Sequence, residues 1–154
     1  MIIGVDPGLT GGIAAIDDSG LWMEPMPRDE EGVDAKELGR LMHELREAKV
    51  AYVEKAQSMP KQSSVSTFSY GKNCGITNGV ILTLGIPIIE IRPQKWMAEI
   101  YKGCPKNLEG KDRSLWAVKQ IFPKQNFTLE RCKVPHIGMV EAALIAEYGR
   151  RVHE

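Results

Sequence analysis

Nowhere in the 154 residues does an apolar run approach the ~20 residues that a membrane span needs. Cysteine is scarce. Cys74, Cys104 and Cys132 are odd in number and form no C-x-x-C pair, so neither a disulfide framework nor a zinc site is expected and the thiols read as reduced. No basic stretch with a cleavage site opens the chain, so no secretory leader is expected and a cytoplasmic protein is. Net charge of either sign is also missing: Lys+Arg and Asp+Glu both number 20, so the total says nothing for or against a polyanionic partner. Internal repeats and low-complexity segments are absent, which excludes solenoids and disordered tails. What is left is an ordinary globular composition, 43% hydrophobic and 26% charged, at a length that reads as a single domain over residues 1–154.

The charges that cancel in total are unevenly placed. Residues 17–54 hold eleven acidic and five basic residues, whereas 55–124 hold eleven basic and four acidic ones. Folded into one domain, such a chain has a basic region able to attract phosphate. Solvated lysines on helices are the plainer alternative.

Turn signals at Pro7-Gly8 and Asp18-Ser19-Gly20 divide the first 26 residues into three strand-like runs: Ile2–Val5, Gly12–Ile16 and Leu21–Met26. Residues 34–49 follow as a helix, with Leu38, Leu41, Met42 and Leu45 on one face and Asp34 with Glu37 as a capping-box-like pair. Val50–Val53 is a short apolar strand. A second helix is expected from about Thr67 to Leu84, with Gly71, Gly75 and Gly79 four residues apart. Each glycine costs a helix roughly 1 kcal/mol relative to alanine, so three in a stripe imply close approach by another backbone or by DNA. Pro87–Ile91 reads as a buried strand. Helices are then expected over 93–101, 111–122 and 138–151. This order implies an α/β fold with a mixed five-stranded sheet and helices on both faces.

Three carboxylates stand where an apolar core should be. Asp6 ends Ile2-Ile3-Gly4-Val5, Glu54 ends Ala51-Tyr52-Val53, and Glu141 interrupts Met139-Val140-Glu141-Ala142-Ala143-Leu144. Each alone also fits an exposed strand end or a cap. Together they read as acids that must be paired or bound to a cation, since a lone buried carboxylate is costly. Oxygen ligands of this kind suit Mg²⁺, with Mn²⁺ able to substitute. If the first and fourth strands are neighbours and the last helix crosses their ends, the three converge. Two metals about 4 Å apart would there activate water and stabilise the leaving oxygen of a phosphodiester.

The opening Ile3-Gly4-Val5-Asp6-Pro7-Gly8-Leu9-Thr10-Gly11-Gly12-Ile13-Ala14 resembles the start of the RuvC family of Holliday junction resolvases. The order of elements is similar too. Phe68-Ser69-Tyr70-Gly71, Arg92-Pro93-x-x-Trp96 and Glu141-Ala142-Ala143-Leu144-Ile145-Ala146-Glu147-Tyr148-Gly149 resemble the phage and related branches of that family in particular. The resemblance implies a ribonuclease H-like fold and a homodimeric, metal-dependent endonuclease that resolves four-way or branched DNA. It also implies a bacterial cytoplasm, or a host's if the chain is phage-encoded. Asp6, Glu54 and Glu141 fall on the family's catalytic, metal-binding carboxylates. One position departs: the family carries a further Asp or His about one helical turn before the last carboxylate, where this chain has Ile137 and Gly138. His136 is the possible accessory ligand. A junction-binding protein with weak or no cleavage is therefore the alternative.

Lys55, Lys61, Lys72, Lys95, Lys102, Lys106, Lys111 and Arg113 are candidates for phosphate contacts. Phe68 and Tyr70 flank the glycine helix, where the resemblance implies an aromatic stacked on an unpaired base; at least one of the pair is expected in the core. Trp96 and Trp116 have apolar neighbours and are expected in the core. A third reading, the actin-like kinase and chaperone superfamily, shares the strand-one Gly-x-Asp-x-Gly pattern but needs two such domains to enclose ATP.

Overall fold

The computed structural model describes residues 1–57 and 63–153. Five strands form one sheet: β1 (Ile2–Asp6), β2 (Gly12–Asp17), β3 (Gly20–Pro25), β4 (Val50–Glu54) and β5 (Ile88–Ile91). Their order is β3-β2-β1-β4-β5. The first three are an antiparallel meander, and β4 and β5 add in parallel beside β1. The helices are α1 (Ala35–Glu44), α2 (Ser64–Thr83), α3 (Pro93–Ile100), α4 (Gly110–Ile121) and α5 (Ile137–His153). Among the described residues, no helix is long and apolar enough to cross a membrane.

Because strand side chains alternate between faces, each strand feeds two cores. Ile3, Val5, Ile13, Ala51 and Val53 point to the side covered by α1, packing with Leu38, Leu41 and Met42; Ile81 and Ile86 belong to the same core. Ile2, Ala14, Val50 and Tyr52 point to the other side, which α5 covers with Val140, Ala143 and Leu144, and which α3 and α4 complete through Trp96, Ile100 and Val118. α5 reaches the sheet closely because glycines remove the side chains in its path. A Cβ on Gly4 would overlap the backbone of Ala142 and Ala146, and one on Gly12 would lie 2.7 Å from the carbonyl oxygen of Gly138. The helix therefore runs antiparallel to β1, its first turn at the strand end that carries Asp6.

Four local expectations change. β5 is an edge strand with Ile89 and Glu90 exposed rather than a buried one, since among the described residues no sixth strand pairs with it. α1 stops at Glu44, because Leu45 N–H turns back to the carbonyl of Met42 and Ala48 N–H to that of Leu45 before the chain enters β4. Asp34 does cap that helix, accepting from the N–H groups of Lys36 and Glu37 at 3.0 Å. The return half of a capping box is missing: the Glu37 carboxylate binds Arg40 instead. α2 begins a turn earlier than expected, where Ser63 accepts from Ser66 N–H.

Candidate metal centre

The sheet register explains how two of the acids meet. Val5 is paired with Val53 in the parallel β1–β4 ladder, so Asp6 and Glu54 follow side by side at the C-terminal ends of the two strands. By alternation both belong to the face covered by α5. α5 supplies Glu141 from its second turn, one residue before Ala142, which abuts Gly4. All three are partly buried.

Their electrostatics are those of crowded like charges. Burial, then Glu141, then Glu54 push the Asp6 carboxyl up to about 7, against a weak opposing hydrogen bond of 3.4 Å from Gly8 N–H. Burial also raises Glu54, opposed by the indole of Trp96, with Glu141 adding to the rise. Burial raises Glu141 as well, opposed by Ser114 and Lys111. The three thus lie within electrostatic reach of one another. Among the described residues, however, no three His, Cys, Asp or Glu side chains close into a ready metal-ligand shell. Like charges keep the three apart, and two of the acids are held through one oxygen each by donors of their own. Trp96 Nε1–H donates to Glu54 Oε2 at 2.7 Å, and Ser114 Oγ donates to Glu141 Oε1 at 3.1 Å. An all-oxygen set under this much uncompensated negative charge suits a hard divalent cation.

Two recesses open at Asp6. One, of about 440 Å³, is lined by Asp6, Thr10, Lys111, His136, Ile137 and Glu141 among others. The second, of about 540 Å³, runs toward α2 past Ser69 and Tyr70. Ile137, the first residue of α5, is therefore at the acidic site with an aliphatic side chain. His136 is the helix cap: its Nδ1 accepts from Met139 N–H at 3.2 Å and its carbonyl from Val140 N–H at 3.1 Å. A neutral ring capping through Nδ1 carries its proton on Nε2, so the cap competes with ligation. Burial, then Arg28, lowers the imidazole and favours that neutral form.

The remaining candidates scatter. Lys111 faces the acidic recess. Arg113 instead lies over the Tyr101 ring, 4.6 Å from its centroid. Lys72 reaches the carbonyl of Glu31 at 3.4 Å. Lys106 is exposed in the loop before α4, and Lys102 is exposed and paired with Glu99. Lys61 lies outside the described residues. Lys55 and Lys95 line a recess of about 700 Å³ with Gln57, Arg92 and Gln94, a wall without carboxylates. Neither Phe68 nor Tyr70 is in a core, contrary to expectation. Phe68 is 75% exposed on the first turns of α2, ahead of Ile76, Val80 and Ile81 that pack in the core, and Tyr70 is half-buried beside Gly8 in the second recess at Asp6. Trp96 is fully buried as expected, whereas Trp116 only packs against the margin of its core.

Sequence reading missed Trp96 and Ser114 as partners of the acids. Both left a signal: a buried indole needs an acceptor for its N–H. Ser114 shares the inward face of α4 with Ala117 and Val118, where a hydroxyl also needs a partner.

No family model and no curated protein matches the sequence. Solved structures do. The chain superposes on Thermus thermophilus RuvC with a TM-score of 0.58 at 18% identity, covering 99% of this chain and 96% of that one. Against T. thermophilus RuvC in complex with Holliday junction substrate the TM-score is 0.62 at 18% identity, over 98% and 94% of the two chains. The fold is that of RuvC, a ribonuclease H-like sheet. The yeast mitochondrial Holliday junction resolvase shares this RuvC fold at a TM-score of 0.56 and 12% identity, over 97% of this chain and 78% of that one.

Proposed function

We propose that the chain is a metal-dependent endonuclease that binds and resolves four-way or other branched DNA junctions by phosphodiester hydrolysis. The observation that carries this reading is the grouping of Asp6, Glu54 and Glu141 at the C-terminal ends of β1 and β4 in a RuvC-fold sheet, with Asp6 held near 7 by burial and its acidic neighbours. These three would hold Mg²⁺ or Mn²⁺, whose chemistry is to activate water and stabilise the leaving oxygen. Lys111 faces the same recess and is placed for a phosphate of the cut strand. Lys55, Arg92 and Lys95 line the neighbouring basic recess and are placed for the next stretch of backbone. Cleavage of a labelled four-way junction in Mg²⁺ or Mn²⁺ tests the reading. Wild type should cut and Asp6→Asn should not; equal cutting by both would sink it.

Two symmetric cuts call for two sites, and a homodimer supplies them. The outer face of α2 supports this: a Cβ added at Gly71, Gly75 or Gly79 would meet nothing within 4 Å among the described residues, and Phe68 and Leu82 are exposed at its ends. Junction affinity should fall steeply with salt as counterions are released. The motifs around Phe68, Trp96 and Glu141 place the chain, on this reading, with the phage and related branches, acting in a bacterial or host cytoplasm.

A second reading, junction binding with slow cleavage, is favoured by Ile137. It stands four residues before Glu141, on the same helix face and in the same recess, and brings no oxygen. His136 is occupied as the cap.

A further inference from the structure

Glu54 and Glu141 are each gripped from behind by one buried donor, and the two donors touch through a third side chain. Trp96 is fully buried on α3, with its Nε1–H on Glu54 Oε2 at 2.7 Å. Indole nitrogen can only donate, so Glu54 must accept with that oxygen. Ser114, 1% exposed on α4, spends its only proton on Glu141 Oε1 at 3.1 Å. The 2.8 Å contact between Ser114 Oγ and the Tyr101 hydroxyl then has one polarity: Tyr101 donates and Ser114 accepts. Hydroxyls in series polarise one another, so the bond to Glu141 is strengthened by the one behind it. Arg113, 4.6 Å from the centroid of the Tyr101 ring, makes the phenol a better donor still. Trp96 and Tyr101 close the circuit edge to face, with centroids 5.6 Å apart.

We propose that Trp96 and the Tyr101–Ser114 pair are positioning residues that aim the Glu54 and Glu141 carboxylates into the acidic site as one packed unit. The assignment rests on the nuclease reading for its purpose but not for its geometry. Each acid keeps its second oxygen clear of the bond that holds it, and two long glutamate side chains lose the freedom to swing away from their neighbours. The Trp96–Tyr101 contact means that a shift in either donor is felt by the other. Among the described residues Asp6 has no such side-chain donor; its hydrogen bond comes from the backbone of Gly8.

The first test needs no metal. The indole N–H proton resonance of Trp96, assigned by its loss in Trp96→Phe, should lie downfield of those of Trp22 and Trp116, exchange slowly with water, and move in Glu54→Gln. The second is calorimetric titration with Mg²⁺. Trp96→Phe and Ser114→Ala should each weaken binding by about tenfold or more, the usual cost of losing an outer partner of a ligand. Ser114→Thr, which keeps the hydroxyl, should recover most of the loss. In junction cleavage, kcat should fall in step with KM for DNA unchanged, because neither residue faces the substrate. An indole resonance indifferent to Glu54→Gln overturns the assignment. So do Trp96→Phe and Ser114→Ala proteins with wild-type Mg²⁺ affinity. If Trp96→Phe fails to fold, the Glu54→Gln shift and the Ser114 pair of variants still decide. A wild-type chain that shows the Glu54-dependent resonance, yet neither binds Mg²⁺ nor cuts junctions, sinks the nuclease reading alone and leaves the donors' grip on the carboxylates established.

Discussion

Helices α5 and α2 both carry glycines, yet they stand in opposite relations to the rest of the chain. α5 lies against β1 and β2 with nearly every residue from Gly138 to Gly149 buried, and its crossing works because Gly4, Gly12 and Gly138 leave room for backbone against backbone. α2 buries only Asn73, Cys74, Thr77 and Ile81 of its twenty residues, and among the described residues the space over Gly71, Gly75 and Gly79 is open. Glycine in α5 is thus used up within the chain. In α2 its cost to the helix is unrecovered by any contact among the described residues, which is the physical ground for expecting a second copy or a nucleic-acid strand on that face.

The largest effect should come from breaking the closed side. Gly4→Ala places a methyl inside the α5 backbone, where no flexible side chain can yield. We expect a loss of several kcal/mol and no cooperative melt near that of wild type, read by thermal denaturation. A variant that melts normally would mean the crossing is slack. Next is the charge stored at the N-terminal end of α5. Asp6 is raised from 3.8 to about 7, so the native state holds its proton more tightly than the unfolded chain between those pH values. Stability from this group is full below about 4 and is lost as pH rises through about 7, by an amount on the order of 4 kcal/mol in the absence of cations. Asp6→Asn should remove that slope in urea denaturation followed from pH 5 to 8. An unchanged slope would show that Asp6 is not the group under tension. Smaller again is the gain from Ile137→Asp, which adds an oxygen ligand and an acid at a helix N-terminus. Junction cleavage should rise by about tenfold, or roughly 1.4 kcal/mol of barrier, with affinity nearly constant. No gain in a wild type that already cuts fast would show the site complete as it is. The smallest effect lies on the open side. Gly75→Ala should stabilise the monomer by up to about 1 kcal/mol while weakening self-association in sedimentation. A destabilised monomer would place an unseen neighbour on α2 and erase the contrast.

Much of the fold was legible because burial imposes a period. The alternation in Ile2–Asp6 and Val50–Glu54 and the helical spacing of Leu38, Leu41, Met42 and Leu45 carry it directly. The acids were legible for the same reason in reverse, as breaks in an apolar pattern. Partner choice was not. Whether Glu37 turns to its own N-cap or to Arg40, and whether a buried indole meets a carbonyl or Glu54, depends on contacts that sequence spacing does not encode. The exposure of β5 escaped notice because an apolar run reads alike at the edge and in the middle of a sheet. Phe68 and Tyr70 were misjudged because α2 enters the core only from Ile76 onward, through Ile76, Val80 and Ile81.

The pairing of β1 with α5 joins two elements that are about 130 residues apart along the chain. Until residues 137–149 have been synthesised, Ile2, Ala14, Val50 and Tyr52 present an uncovered apolar sheet face. Contacts between residue 4 and residues 142–146 span most of the sequence, so they form late and at a high cost in loop closure. A nascent chain is therefore prone to aggregation until α5 emerges, and its acidic site is completed only when α5 docks.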